Sequence, residues 1–434
     1  GRAGSLAVLL VLAAVVVGCD DGGDDTPEVE SVERAPDVAV VIGPDAPIVI
    51  GVSAPITGPD SAAGIADRDA VIVAVERWKE THGSQIQGHD IAVAIEDDGC
   101  TEADVAAVAA RRLAERPGVV AVVGPNCSAG AVEAVPIYAA AGLTTVSGSV
   151  TQSDLTTDQP AGGFFFRTAY RNDLEGALIG TFVVSDLQAH RGYLVDDGES
   201  YGQDLADSAQ QLMERHGVDV ERRSVVRGTV DFRELVHEIV DVDPEFVGFM
   251  GFNPEAALMH RQLRDAGYDG VFGGGDAAAT PDYISAVGEI AEGTLFAGCV
   301  LTMPADLVAD FVAVHGGPPG ASAFTAQQID ATTLLLDAIA EVVEAQPDGS
   351  ILLEPRALRD AVSASQVGDG ASGSFAFDAN GDRIPPDGTP LSDVVESALA
   401  GQPVSTFVDL GLVPCQVQDG RFVNLMGPGA QPMR

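Results

Sequence analysis

Short apolar runs alternate with stretches of helical apolar spacing along nearly the whole chain, and this alternation restricts the fold more than any other feature. "IVIGVSAP" (48–55), "DIAVAIED" (90–97), "VVAVVG" (119–124) and "LTTVSG" (143–148) read as strands. Between them, "ADRDAVIVAVERWKETHG", "TEADVAAVAARRLAERPG" and "SAGAVEAVPIYAAAG" carry helical spacing and end in glycine. Repeated strand–helix–strand order predicts a parallel sheet with helices on both faces. The pattern then restarts at "RGYLVDDG" (191–198) and runs through "DVERRSVV", "FVGFMGF" and "GVFGGGD", each separated from the next by a helical segment. An α/β protein of two doubly wound lobes is therefore expected, in keeping with 434 residues, more than one core usually supports. Two late helical segments, 323–345 and 355–364, bring no new strands of their own in this reading. The end, "GSFAFDANGDRI" and "STFVDLGLVPCQVQDGRFVNL", alternates as hairpins do.

Charge narrows the partners. With 65 acidic against 23 basic residues the formal charge is -42, which repels phosphate backbones and anionic membrane surfaces, so no nucleic-acid partner is expected. Residues 6–17, "LAVLLVLAAVVV", follow Arg2 and have the length of a signal peptide rather than of a membrane span. The run ends in "VVGC", which resembles a bacterial lipobox, with Cys19 acylated and the leader 1–18 removed. The acidic stretch 19–45 then reads as a solvated tether, with the folded body beginning near Ala46 and the membrane reached through the lipid alone. Export to an oxidising compartment leads us to expect two disulfides among Cys100, Cys127, Cys299 and Cys415, and counting leaves three pairings open.

Catalytic patterns fail on inspection. "VVGPNCSAG" (122–130) places Gly130 correctly after Ser128 for a nucleophile elbow, but Asn126 occupies the earlier glycine position. No basic group stands near Cys127 to make a thiolate. The seven histidines form no HExxH or His/Cys cluster, and no zinc site is expected. "VFGGGDAAA" lacks the GxGxxG spacing, and Lys79, the only lysine, is not in a phosphate-binding loop, so no nucleotide cofactor is expected. "DANGDRIPPDGT" (378–389) begins like a calcium loop, then puts Arg383 at the turn glycine and Thr389 at the bidentate glutamate; it reads as a hairpin turn. A secreted hydrolase using Ser128 is the enzymatic rival.

Position supplies the positive signal. In α/β sheets ligands collect beyond the carboxyl ends of the strands. Ser128, Ser149 with Thr151, Tyr201 and Asp276 all fall there. Ser128 opens a helix and suits a carboxylate, while Asp276, on the other lobe, suits a cation.

The ordered set "GVSAPITGPDSAAG", "EDDGCTEADVAAVAARRL", "VVAVVGPNCSAGAVEAVPIYAAAGL", "SYGQDL" and "FNPEAALMHRQLRDAG" resembles the periplasmic leucine/isoleucine/valine-binding proteins. These are non-catalytic solute receptors of ABC transporters for branched-chain amino acids. The resemblance covers residues 46 to 383. It implies the type I periplasmic-binding-protein fold, two Rossmann-like lobes joined by three crossovers near 164–168, 296–302 and 372–378. Lobe one would take 46–165 and 302–372, and lobe two 166–301 and 373–434. By resemblance, Ser128 binds an α-carboxylate, the loop from Ser149 to Thr151 gives a backbone carbonyl to the ammonium, Thr151 meets both charged groups, Tyr201 covers the ligand, and Asp276 stands in for the family's glutamate as ammonium partner. A Cys100–Cys127 disulfide is implied near the pocket, whereas a bridge between the remaining Cys299 and Cys415 is not general in the family. Ala63 replaces a frequent tyrosine, and Phe252 and Phe324 supply aromatic walls, which leaves room for an amino acid bulkier than leucine, or for an amide or urea-type solute. The implied role is a lipid-anchored, extracytoplasmic, monomeric receptor that captures an amino acid, branched-chain or otherwise hydrophobic, by hinge closure and delivers it to a permease and its ATPase. The alternative is a clamp that passes closure to a signalling partner.

Overall fold

The computed structural model describes residues 34–157, 163–299, 303–320, 322–400, 407 and 410–425. The proposed leader and Cys19 lie outside them. The first half runs β1 (Val40–Ile42), β2 (Ile48–Ala54), α1 (Ser61–His82), β3 (Gln85–Ile86), β4 (His89–Asp97), α2 (Ala103–Glu115), β5 (Val119–Val123), α3 (Ser128–Ala140), β6 (Thr144–Ser147), α4 (Asp154–Thr157) and β7 (Phe165–Arg167). There follow α5 (Asn172–Thr181), β8 (Arg191–Asp196), α6 (Ser200–Arg215), β9 (Asp219–Ser224), α7 (Arg233–Val242), β10 (Phe246–Met250), α8 (Glu255–Asp265), β11 (Val271–Gly274), α9 (Pro281–Val287) and β12 (Leu295–Phe296). The remainder is α10 (Ala305–His315), α11 (Thr325–Val342), β13 (Glu344–Ala345), β14 (Ile351–Leu353), α12 (Pro355–Ser363), β15 (Gln366–Gly370), β16 (Gly373–Phe377), β17 (Arg383–Ile384), α13 (Leu391–Leu399), β18 (Cys415–Gln418) and β19 (Arg421–Asn424).

Two sheets carry the architecture, one in the order β3-β4-β2-β5-β6-β7 and one in the order β19-β18-β12-β11-β10-β8-β9. In each, the first long strand is flanked by the second on one side and the third on the other, all parallel. That reversal opens a crevice at the strands' carboxyl ends. Alternate residues of each strand feed opposite faces, so both faces must be covered. Ile50 and Val52 of β2 join the cluster with Val71 and Trp78 of α1 and Leu335 and Ile339 of α11, while Val49 packs with Leu113 of α2 and Tyr138 of α3. The second sheet repeats this: Leu194 and Met250 face α6, and Tyr193, Val195 and Phe249 face α7 and α8.

Three details depart from the sequence reading. β1 lies inside the segment read as a tether; it pairs antiparallel with β14, because Ile42 can bury beside Ile351 and Leu353. The late helices are separated by β13 and β14, strands of two and three residues that are too short to produce a periodic signal. The 373–384 hairpin forms its own sheet with β15 and sends Phe375 and Phe377 into the core around β2 and α11. Its loop is a turn, as expected: Asp378 accepts from the backbone N–H groups of Asn380 and Asp382, at 2.8 and 2.9 Å. Asp382 is spent on Arg167 and Arg171, each at 2.8 Å, a buried junction that fixes the end of β7. Among the described residues, no helix is long and apolar enough to cross a membrane.

Candidate functional site

The loops after β2, β5, β6, β8, β10 and β11 converge on one cleft of about 370 Å³. Ser128, Ser149, Thr151, Tyr201, Phe252 and Asp276 all line it, and so do Ala63 and Phe324.

On the first sheet, the chain leaves β5 through "GPNC" and turns into α3 at Ser128. Cys127, extended at φ -119°, caps the helix without a side-chain bond, so the first-turn N–H groups face the cleft end uncapped. Cys127 is bridged to Cys100, whose carbonyl lies so close to α3 that a Cβ at Gly130 would approach it to 2.7 Å. The loop is further held by Asp98, which accepts from the Cys100 and Asn126 N–H groups at 3.1 and 3.3 Å and from the Ser53 hydroxyl at 3.1 Å. Ser128 is buried, and its Oγ accepts from the Gln152 N–H at 3.3 Å. Ser149 donates to the Asn126 carbonyl at 2.8 Å, and the Thr151 carbonyl accepts from Asn172 N–H at 2.8 Å, so the two cleft loops are fixed to each other and to α5. The second bridge, Cys299–Cys415, links the ends of β12 and β18 away from the cleft.

On the second sheet, Asp276 follows β11 by two residues and is buried. The Tyr201 hydroxyl donates to its Oδ1 at 3.0 Å and the Tyr170 hydroxyl to its Oδ2 at 2.9 Å, while its own N–H donates to Glu175 Oε1 at 2.8 Å. Gly275 is required here, since a Cβ would lie 2.4 Å from the Tyr201 hydroxyl. Burial raises the Asp276 pKa to about 6, against the lowering effect of its tyrosine and Glu175 partners. Burial and then the Asp276 charge push Glu175 well above the ordinary carboxyl range, so Glu175 is the protonated member of the pair. Near neutral pH the cleft thus presents a single buried carboxylate at this point, pre-oriented by two phenols.

The aromatic wall is Tyr201 edge-on to Phe252, with Phe324 tilted against Tyr170. Phe252 is capped by the Arg227 guanidinium, 3.8 Å from the ring centre, and Arg227 in turn reaches Asp60 on the loop after β2 at 2.6 Å. This ion pair joins the two sheets' loops at the cleft mouth. Sequence reasoning missed Tyr170, Glu175 and Arg227, because each is brought in by the fold from a segment without a local motif. It also missed Asp67 and Asn253, two polar residues of the lining. Among the described residues, four aspartates line the cleft (Asp60, Asp67, Asp276 and Asp282) and no basic side chain does, Arg227 standing at the mouth in its pair with Asp60, so the field inside favours a cation or a zwitterion whose carboxylate is met by helix N–H groups.

A family model described as periplasmic binding protein matches residues 47–392. An amino acid binding protein of Pseudomonas aeruginosa is 32% identical over 47% of this chain, and the match spans 54% of that relative's length. A leucine-, isoleucine-, valine-, threonine- and alanine-binding protein of the same organism is 26% identical over 75% of this chain and 84% of its own. The crystal structure of a leucine binding protein from Thermotoga maritima superposes with a TM-score of 0.71 at 24% identity, covering 87% of this chain and 97% of the other.

Proposed function

The chain belongs to the periplasmic binding protein family, a family of receptors rather than enzymes, and from that premise we propose that it captures an α-amino acid outside the cytoplasm for an ABC transporter. One observation carries the reading: an uncapped helix N-terminus with Ser128 and a buried, phenol-held Asp276 stand on different sheets but line the same cleft. An α-carboxylate satisfies the first and an α-ammonium the second. The Ser149–Thr151 loop lines the same cleft, and Tyr201 and Phe252 would cover the ligand. The names of the relatives, amino acid binding protein among them, support the same class.

A ligand that bridges the two lobes stabilises the closed arrangement only by the contacts it makes there and not in the open one. The Arg227–Asp60 pair joins loops of the two sheets beside the cleft, and on this reading it is one of the contacts that closure makes. Delivery to a permease and ATPase, a monomeric state and anchoring through an acylated Cys19 complete the proposal. Native mass spectrometry of protein purified without denaturation tests it. The expected result is a bound mass equal to an α-amino acid, released on unfolding. A stably bound solute lacking either an amine or a carboxylate would refute it.

A further inference from the structure

The cleft has more acceptors than its own donors satisfy. Asp67, on α1, is 2% exposed and lines the cleft, yet its Oδ1 has no hydrogen-bond partner. Its Oδ2 receives one long bond, 3.5 Å from Gln328 Nε2. That same amide nitrogen also faces Asn126 Oδ1 at 3.2 Å and Ser149 Oγ at 3.3 Å, so two hydrogens are shared among three acceptors. Asn126 and Ser322 flank the carboxyl, but neither closes on Oδ1. From the second lobe, Asn253 also lines the cleft, and its Oδ1 is likewise buried without a partner. Every unpartnered buried side-chain atom among the described lining residues is an acceptor.

An α-amino acid brings one ammonium, and Asp276 with its two phenols is built to take it. Asp67, on α1 beside the other sheet, stands within the Asn126–Ser149–Gln328 cluster and is left over. We infer that Asp67 is a specificity residue that receives an N–H donor at the end of the ligand's side chain, so that the protein selects amide-, ammonium- or guanidinium-bearing amino acids over purely aliphatic ones. The inference rests on the amino-acid reading above and deepens it. A buried polar group matched to a ligand donor discriminates strongly, because the analogue without the donor leaves the acceptor desolvated and unpaired. A fully aliphatic side chain would do that to Asp67.

Calorimetric titration of the full chain tests this with asparagine, glutamine, ornithine, lysine and arginine against leucine, methionine and norleucine. Norleucine matches the lysine chain without its ammonium. The tightest donor-bearing amino acid is expected to bind at least about 30-fold better than any of the three lacking the donor. Asp67→Ala is expected to shrink that ratio to below about threefold, the donor-bearing amino acids weakening and norleucine tightening because no acceptor is left desolvated beside its chain end; if the alanine variant does not fold, as judged by its melting curve, Asp67→Val replaces it. Equal or tighter binding of leucine or norleucine to the wild type overturns the role of Asp67 and leaves the amino-acid receptor standing. Absence of binding by all eight overturns the role of Asp67, and absence of binding by the remaining standard amino acids as well overturns both.

Discussion

Asp276→Asn separates the charge of the proposed ammonium site from its shape. In the native protein this carboxylate is buried, accepts from Tyr170 and Tyr201 at 2.9 and 3.0 Å, and faces a protonated Glu175. Two phenols satisfy its oxygens but leave its charge uncompensated, which is why burial lifts its pKa to about 6. An incoming ammonium supplies the missing charge. Removing one member of such a desolvated pair costs about 2 to 5 kcal/mol, so affinity for the amino acid should fall between about 30-fold and several thousand-fold at pH 7.5. The ligand-free variant should become more stable at that pH, since no charge is left buried without a counter-ion. Titration calorimetry and thermal melting of the same preparations read both effects. Affinity within threefold of wild type, or a ligand-free variant that melts lower, would refute the assignment of Asp276 as the ammonium partner.

Three further outcomes follow from the same geometry. Burial raises Asp67, Asp98 and Asp276 to about 6 and Asp197 to about 7, and such groups stabilise the fold fully below the unfolded carboxyl value near 4 and lose that contribution as pH rises through 6 to 7. The ligand-free melting temperature should therefore climb from pH 7.5 to 5, each group near 6 adding about 1 kcal/mol, whereas ligand affinity should fall over the same interval as Asp276 protonates; a melting temperature that falls on mild acidification would contradict this. Arg227→Ala removes both the ion pair to Asp60 and the stack on Phe252, and should speed ligand release by roughly 5- to 30-fold in stopped-flow measurements, from about 1 to 2 kcal/mol. Replacing Cys100 and Cys127 together by serine opens a link of sequence separation 27, should cost about 3 to 4 kcal/mol in denaturant unfolding, and should weaken the ligand through a looser Ser128; unchanged affinity would show that the bridge does not hold the binding loop.

The strand–helix alternation was legible because both faces of each sheet are covered. β2, β5 and β10 are continuous apolar runs, and α2 and α6 carry one apolar stripe each. Ser128, Ser149, Thr151, Tyr201 and Asp276 were legible because they follow strands directly, where the topology alone sets them at the crevice. Asp67 was not. It sits in "ADRDA", where neighbouring charges read as the wet side of a helix, yet α1 is covered by α11 on one side and forms the cleft wall on the other. Gly64, whose Cβ would collide with the Pro55 carbonyl at 2.0 Å, is what lets the start of α1 pack that closely. Tyr170 lies in the loop between β7 and α5 and Glu175 in the first turn of α5, and only the folded chain sets them against the loop after β11. β1 was hidden because three residues cannot show a period, and its partner β14 lies more than three hundred positions away.

The central claim is that both ends of an α-amino acid are read, its carboxylate by the α3 terminus with Ser128 and its ammonium by Asp276. Calorimetric titration of the wild-type protein with the native amino acid, its N-acetyl derivative and its α-carboxamide tests that claim most directly. Each blocked form should bind at least about 100-fold more weakly than the parent, since each leaves one desolvated polar site unmatched. Binding of either blocked form at the parent's affinity would contradict it.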